Sequence, residues 1–247
     1  MKIKIMRTIS SLIIGAAFVI GLFIVGKAYK YRSTAMENIT VTGSAEKDFV
    51  SDLIVWTGTY SRKSMDLKTA YAQLKDDENA IRAYLAGKGI QSNEMVFSAV
   101  NINKEFNYKT DENGRSIGQE FTGYNLSQNV KIESAAVDKV DQLSREATEL
   151  IQKGIEFTSM PPLFYYTKLT EIKMDLLAKA SADGKQRAEI IAKNAGSSLG
   201  KLKKATLGVF QITGKNSNED YSYGGTFNTT NRDKTGSITI RMEFAVE

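Results

Sequence analysis

The chain has 247 residues, 42% of them hydrophobic, enough apolar material for one large domain or two small ones. It holds no cysteine and no histidine, which excludes disulfides, thiolate chemistry, histidine-containing triads and the common zinc sites, and leaves carboxylates, lysines and serines for any catalysis. Of the 33 basic residues behind the net charge of +5, six (Lys2, Lys4, Arg7, Lys27, Lys30, Arg32) precede the first acid, Glu37; the other 27 face 28 acids, so no nucleic-acid partner is expected.

Those six cations bracket an uncharged run, Ile9 to Gly26, whose only polar side chains are Ser10 and Ser11. As a helix it would rise about 27 Å, close to the hydrocarbon thickness of about 30 Å. A cleavable signal has a shorter core followed by a small-residue site. Ser33 to Ala35 offers such a site, but Lys27, Lys30 and Arg32 intervene and, with Tyr29 and Tyr31, resemble the interfacial flank of an anchor. Residues 1–36 are therefore read as an N-terminal membrane anchor, meeting the membrane through residues 9–26, and residues 37–247 as the folded domain. A cleaved signal and a buried core helix are the alternatives. Three cations on each side leave the orientation open.

From Ile39 the hydrophobic period falls to two. "ITVTGSAEKDFVSDLIVWTGTYS" (Ile39 to Ser61) predicts two strands with a turn near Ala45 to Lys47. Leu67, Ala70, Tyr71, Leu74, Ile81, Tyr84 and Leu85 then form one helical face, with Gly89 as the stop. The consecutive carboxylates Asp76 to Glu78 on that helix point apart and read as a solvated face rather than a cation site. Strands follow near Met95 to Phe106 and Glu120 to Glu133, joined by a long polar loop, Asn107 to Gly118.

A second helix covers Ala135 to Lys153 and ends at Gly154. The strand from Ile155 is interrupted by Pro161 and Pro162, which places it at an edge or a bulge. A long helix, Leu169 to Asn194, carries a mostly small stripe (Leu177, Ala180, Gly184, Ala188, Ile191, Ala195) that suits close packing on a sheet. "GKLKK", Gly200 to Lys204, reads as a solvated turn, and Ala205 to Thr213 and Ser237 to Val246 as the last strands. The order strand, helix, strand, strand thus occurs twice, from Asp52 to Glu133 and from Ile155 to Val246. The expected class is α+β: two such halves with largely antiparallel sheets and helices packed on one face, preceded by one transmembrane helix.

Lys215 to Lys234 is too long for an economical hairpin turn. It interleaves the aromatics Tyr221, Tyr223 and Phe227 with Gly224, Gly225 and Asn228, a composition suited to contact surfaces. These six residues form the candidate association loop, expected to serve association rather than folding. A passive loop and a small-molecule site are the alternatives. No catalytic, cofactor-binding or metal-binding residue is assigned.

Several stretches resemble one family. "ITVTGSAEKDFVSDLIVWTGTYS", "GYNLSQNVKI" with "VDKVDQLSREATELIQKGIEF", and "AKASADGKQRAEIIAKNAGSSLGKL" are similar to the SIMPL-domain (YggE-like) family of bacterial envelope proteins, over nearly all of Ile39 to Glu247. "YYTKL" (Tyr165 to Leu169) and "GVFQIT" (Gly208 to Thr213) resemble a membrane-anchored subgroup. Ser51 replaces the usual proline before Asp52, and Gly184 stands where alanine is common. The resemblance implies a single-pass protein of the inner membrane, its domain in the periplasm or outside the cell. It implies no established catalytic residues. The family's link to oxidative stress finds no redox-capable group here. The expectation is a non-enzymatic, membrane-tethered envelope protein acting through self-association or another envelope component. The alternative is a small-ligand binder or carboxylate-based enzyme with a cleft between the two halves.

Overall fold

The computed structural model describes residues 15–27, 37–112 and 114–246. Residues 15–27 are helical (α1), with their apolar side chains largely exposed. Residues 9–14 of the predicted span, and residues 28–36 beyond it, lie outside the described residues. Among the described residues no helix is long and apolar enough to cross a membrane.

The remainder folds as two antiparallel sheets with helices on them. Strands β1 (Asn38–Val50), β8 (Leu199–Leu207), β9 (Gln211–Gly214) and β10 (Asp233–Val246) form one sheet. β10 lies at its centre, paired with β1 on one side and with β8 and β9 on the other. The other sheet contains β2 (Leu53–Ser64), β3 (Met95–Phe97), β4 (Asn101–Thr110), β5 (Ser116–Ser134), β6 (Glu156–Ser159) and β7 (Leu163–Tyr165). Helix α4 (Leu169–Asn194) covers the first sheet, and α2 (Leu67–Gly87) and α3 (Val137–Glu146) cover the second. Each sheet has its own core. Val41, Leu176, Ile240, Met242 and Phe244 fill one; Trp56, Leu74, Ile81, Leu126, Ile132 and Leu143 fill the other.

Several expectations change. β1 has no turn at Ala45 to Lys47, because those residues stay in register with Gly236 to Ile238 of β10; the break comes at Ser51 and Asp52, where the chain passes to the other sheet. The halves are also not contiguous in sequence. The leading strand β1 completes the C-terminal sheet, while β6 and β7, on either side of Pro161 and Pro162, both pair with β2. The loop Asn107 to Gly118 is mostly strand, since β4 and β5 stay paired as far as Thr110 and Ser116. Gly200 to Lys204 is not a turn but part of β8, with its lysines exposed.

The predicted bounds of α4 hold, and Gly154 ends the second helical segment in a left-handed conformation. The buried stripe of α4 is Ile172, Leu176, Ala180, Gly184, Ala188 and Ala192, a strict spacing of four that leaves Ile191 outside it. Its small members let the backbones approach closely. A Cβ on Gly43 of β1 would lie 2.1 Å from the carbonyl oxygen of Ala180 and 2.6 Å from the amide nitrogen of Gly184. Side chains of α4 also secure β1 along its length: Asp183 accepts from the Ser44 amide at 2.9 Å, and Asp175 pairs with Lys47 at 2.7 Å.

Candidate functional site

The segment between β9 and β10 is tied down by three inward polar side chains, two from the flanking strands and one from the segment itself. Gln211, buried at the start of β9, donates through Nε2 to the Ser222 carbonyl at 2.9 Å, and its Oε1 accepts from the Thr226 amide at 2.7 Å. Asn228 is buried and donates to the Glu219 carboxylate and to Asn231 Oδ1, while its own Oδ1 accepts from the Asn231 amide at 2.9 Å. Lys234 is only 1% exposed. Its ammonium donates to the carbonyls of Asn228 and Asn231, both at 2.6 Å. Burial pulls the Lys234 pKa down to about 8, against the opposing charge of Glu219. The Gly214 amide donates to Glu219 and, with Asn228, holds that carboxyl below its ordinary range.

The six predicted residues therefore divide. Tyr221 and Tyr223 are exposed, Tyr223 completely, and Phe227 is about half exposed. Gly225 sits at φ +92, where a Cβ would meet the Phe210 carbonyl at 2.8 Å, so it sets the turn rather than a contact; at Gly224 a Cβ would meet only the Ser222 hydroxyl, at an ordinary 3.9 Å. Asn228 is internal. The tyrosines, with Val209, Gln211, Ser237 and Ile238, line a cavity of about 520 Å³, and the Ser237 hydroxyl donates to the Tyr221 hydroxyl at 3.3 Å.

The far end of the segment clasps the two sheets together. The Phe164 amide of β7 donates to the Thr229 carbonyl at 2.7 Å, and Ser51 donates to the Arg232 carbonyl through both its amide and its hydroxyl. The Arg232 guanidinium makes a two-pronged pair with Asp138 of α3. Residues 228–234 are thus part of the folded framework, contrary to the expectation of a segment serving association alone.

A second polar cluster lies under β2 and was not foreseen. Asp77 and Glu78 are buried rather than solvated, because residues 77 and 78 fall between Leu74 and Ile81 on the inward stripe of α2. Arg62 grips Asp77 through Nε at 2.5 Å and Nη2 at 2.7 Å. Glu78 accepts from Lys75 and Arg82, and the Arg82 guanidinium stacks 3.9 Å from the centre of the Phe97 ring. Burial works against ionisation of Glu78, but these two cations prevail and hold its pKa below the ordinary range. The two carboxylates meet different cations, as adjacent positions about 100° apart around a helix allow. Among the described residues no group of acids is arranged to hold a metal ion. Held below its ordinary range, the Glu78 carboxylate is poorly suited to exchanging protons near neutral pH.

Gln211 and Lys234 were missed as well. The parity of "DKTGSITI" contained the signal for Lys234, because residues 234, 236, 238 and 240 share the core face of β10.

Among curated proteins none matches the sequence. The family SIMPL, described as a protein of unknown function (DUF541), matches residues 39–244, from the first residues of β1 to the last turn of the pleat in β10. With that match covering both sheets and every helix on them, the chain belongs to the SIMPL family.

Proposed function

We propose that the chain is a membrane-anchored, non-enzymatic SIMPL protein of the bacterial envelope that works by association, and that Tyr221, Tyr223 and Phe227 form its contact surface. The observation that carries the reading is the contrast within one segment. Its aromatic rings are exposed, while its backbone is held by Gln211, Asn228 and Lys234. Exposed rings on a fixed backbone lose little conformational freedom on binding, which is what a contact surface requires. The apolar run Ile9 to Gly26 and its cationic flank support the anchor, and the sequence resemblance to envelope proteins supports placing the domain outside the cytoplasm.

The test replaces the rings and spares the network. In the full chain, solubilised in detergent, Tyr221→Ser with Tyr223→Ser is expected to reduce the native mass of the complex while leaving the melting temperature within about 2 °C, since surface changes of this kind alter stability by only about 0.5 kcal/mol. An unchanged complex refutes the assignment.

A further inference from the structure

Sheet register fixes which end of the domain faces the anchor. Asn38, at the start of β1, pairs with Ala245 of β10, whose neighbours Phe244 and Val246 pair with Leu202 and Leu199 of β8. Lys203 Nζ also donates to the Glu37 carbonyl at 3.4 Å. Helix α4 runs antiparallel to β1, with Asp175 at Lys47 and Asp183 at Ser44, so its last turn reaches the same end. There α4 and β8 enclose a groove of about 520 Å³, floored by Leu199, Leu202 and Phe244 and flanked by the paired Lys185 and Glu189. Lys193, in the last turn of α4, and Lys201 and Lys204, on β8, are exposed at this end, Lys204 opposite Glu243 of β10, and none of these three forms an ion pair among the described residues.

We propose that this end of the domain rests on the anionic phospholipid surface of the membrane that holds the anchor, with Lys193, Lys201 and Lys204 against lipid phosphates and Leu202 in the interface. The proposal rests on the anchor reading above. Only ten peptide steps separate Lys27, the last described residue of α1, from Glu37. A fully extended chain of that length spans at most about 35 Å. The lipid surface is therefore held near this end, and the tether makes contact an intramolecular event at high effective concentration. Each lysine beside an anionic surface contributes roughly a five-fold gain, so three together contribute on the order of a hundred-fold. Screening over about 8 to 10 Å makes that gain sensitive to salt. An end of the domain that carries both exposed ammonium groups and an apolar groove matches a lipid surface, which is acidic at its headgroups and apolar below them.

The chain has no native cysteine, so a single thiol-linked fluorophore reports one position. The full chain would be reconstituted into vesicles of phosphatidylcholine alone and of phosphatidylcholine with phosphatidylglycerol. The dye is placed at Asn194→Cys or, as a control at the opposite end of α4, at Glu171→Cys. The expected result is several-fold shielding of the Asn194 dye from aqueous iodide in the anionic vesicles only. That shielding should disappear in high salt and in the Lys193→Gln, Lys201→Gln, Lys204→Gln variant, while the Glu171 dye stays open throughout. Equal quenching in both lipids, with the chain resisting extraction by alkaline carbonate, overturns the contact and leaves the anchor standing. Equal shielding in both lipids with an enlarged native mass shows a protein interface and also overturns it. Extraction by carbonate removes the anchor reading, and the proposal with it.

Discussion

The packing of α4 on β1 makes a sharp prediction from two glycines that touch each other. At Gly43 an added Cβ would sit 2.1 Å from the Ala180 carbonyl oxygen, 2.6 Å from the Gly184 nitrogen and 2.8 Å from its Cα, all of them backbone atoms. Ordinary contact is about 3.4 Å or more, so the helix would have to move by about 1 Å, and its buried residues Leu176, Ala180 and Ala188 would move with it. Overpacking usually costs about 1 to 3 kcal/mol, and a clash between two backbones belongs at or above the upper end. At Gly184 the added Cβ meets the Cε of Met242 at 2.1 Å, the far end of a flexible side chain, and Gly43 only at 3.2 Å. There Met242 can turn aside, and alanine in a helix interior gains about 1 kcal/mol over glycine. Thermal unfolding of the full chain should therefore separate the pair. Gly43→Ala is expected to melt at least about 6 °C lower, and Gly184→Ala within about 3 °C of the parent, using about 2 to 4 °C per kcal/mol at this size. Equal effects from the two substitutions, or a harmless Gly43→Ala, would show that the helix does not cross the strand at this point.

Other outcomes follow from the polar clusters. Arg62→Met strands the buried Asp77 carboxylate and removes a donor from the Gly154 carbonyl, so denaturant titration should show a loss of roughly 3 kcal/mol. For Lys234 the folded pKa of about 8 lies below the unfolded value of about 10.4. Between those values the unfolded chain keeps the proton that the folded chain has released, so this lysine should make stability climb with pH by up to about 3 kcal/mol across that window. Lys234→Met should abolish that climb, which melting at pH 8 and pH 10 would reveal. Glu78 titrates below its ordinary range in the folded state, so its contribution is present above the unfolded pKa and is lost as pH falls through the folded one; Glu78→Gln should flatten that acid limb in an acid-unfolding titration.

What could be read from the sequence was what local period encodes. The bounds of α4, the stop at Gly154 and the edge position of the proline-interrupted strands all follow from residue spacing and backbone restriction. Strand partnership does not. Ala45, Glu46 and Lys47 have the composition of a turn, and only their pairing with Gly236 to Ile238, nearly two hundred residues away, holds them extended. The exchange of leading strands between the sheets is equally non-local. The polar framework lies between these cases. Asp77, Glu78 and Lys234 are charged residues at positions whose period faces the core, a mismatch visible without coordinates. Asn228 has no period around it, so its burial was not legible.

That difference bears on how the candidate surface is held. Lys234 is at once the first inward residue of β10 and the donor that closes the carbonyls of Asn228 and Asn231. Side chains alternate along a strand, so slipping β10 by one residue would turn Lys234 outward and release both carbonyls together. The same register sets Ile238, Ile240, Met242 and Phe244 into the core against α4. Burial of each such side chain contributes about 1.5 to 3 kcal/mol, so the slip is opposed by far more than the loop's own hydrogen bonds. The conformation of the segment's far end is thus tied to the hydrophobic core of the sheet through Lys234, while Gln211 of β9 holds the backbone at Ser222 and Thr226, beside the tyrosines. Beyond the hydroxyl contact of Tyr221 with Ser237, the two rings project outward from this frame, Tyr223 completely exposed.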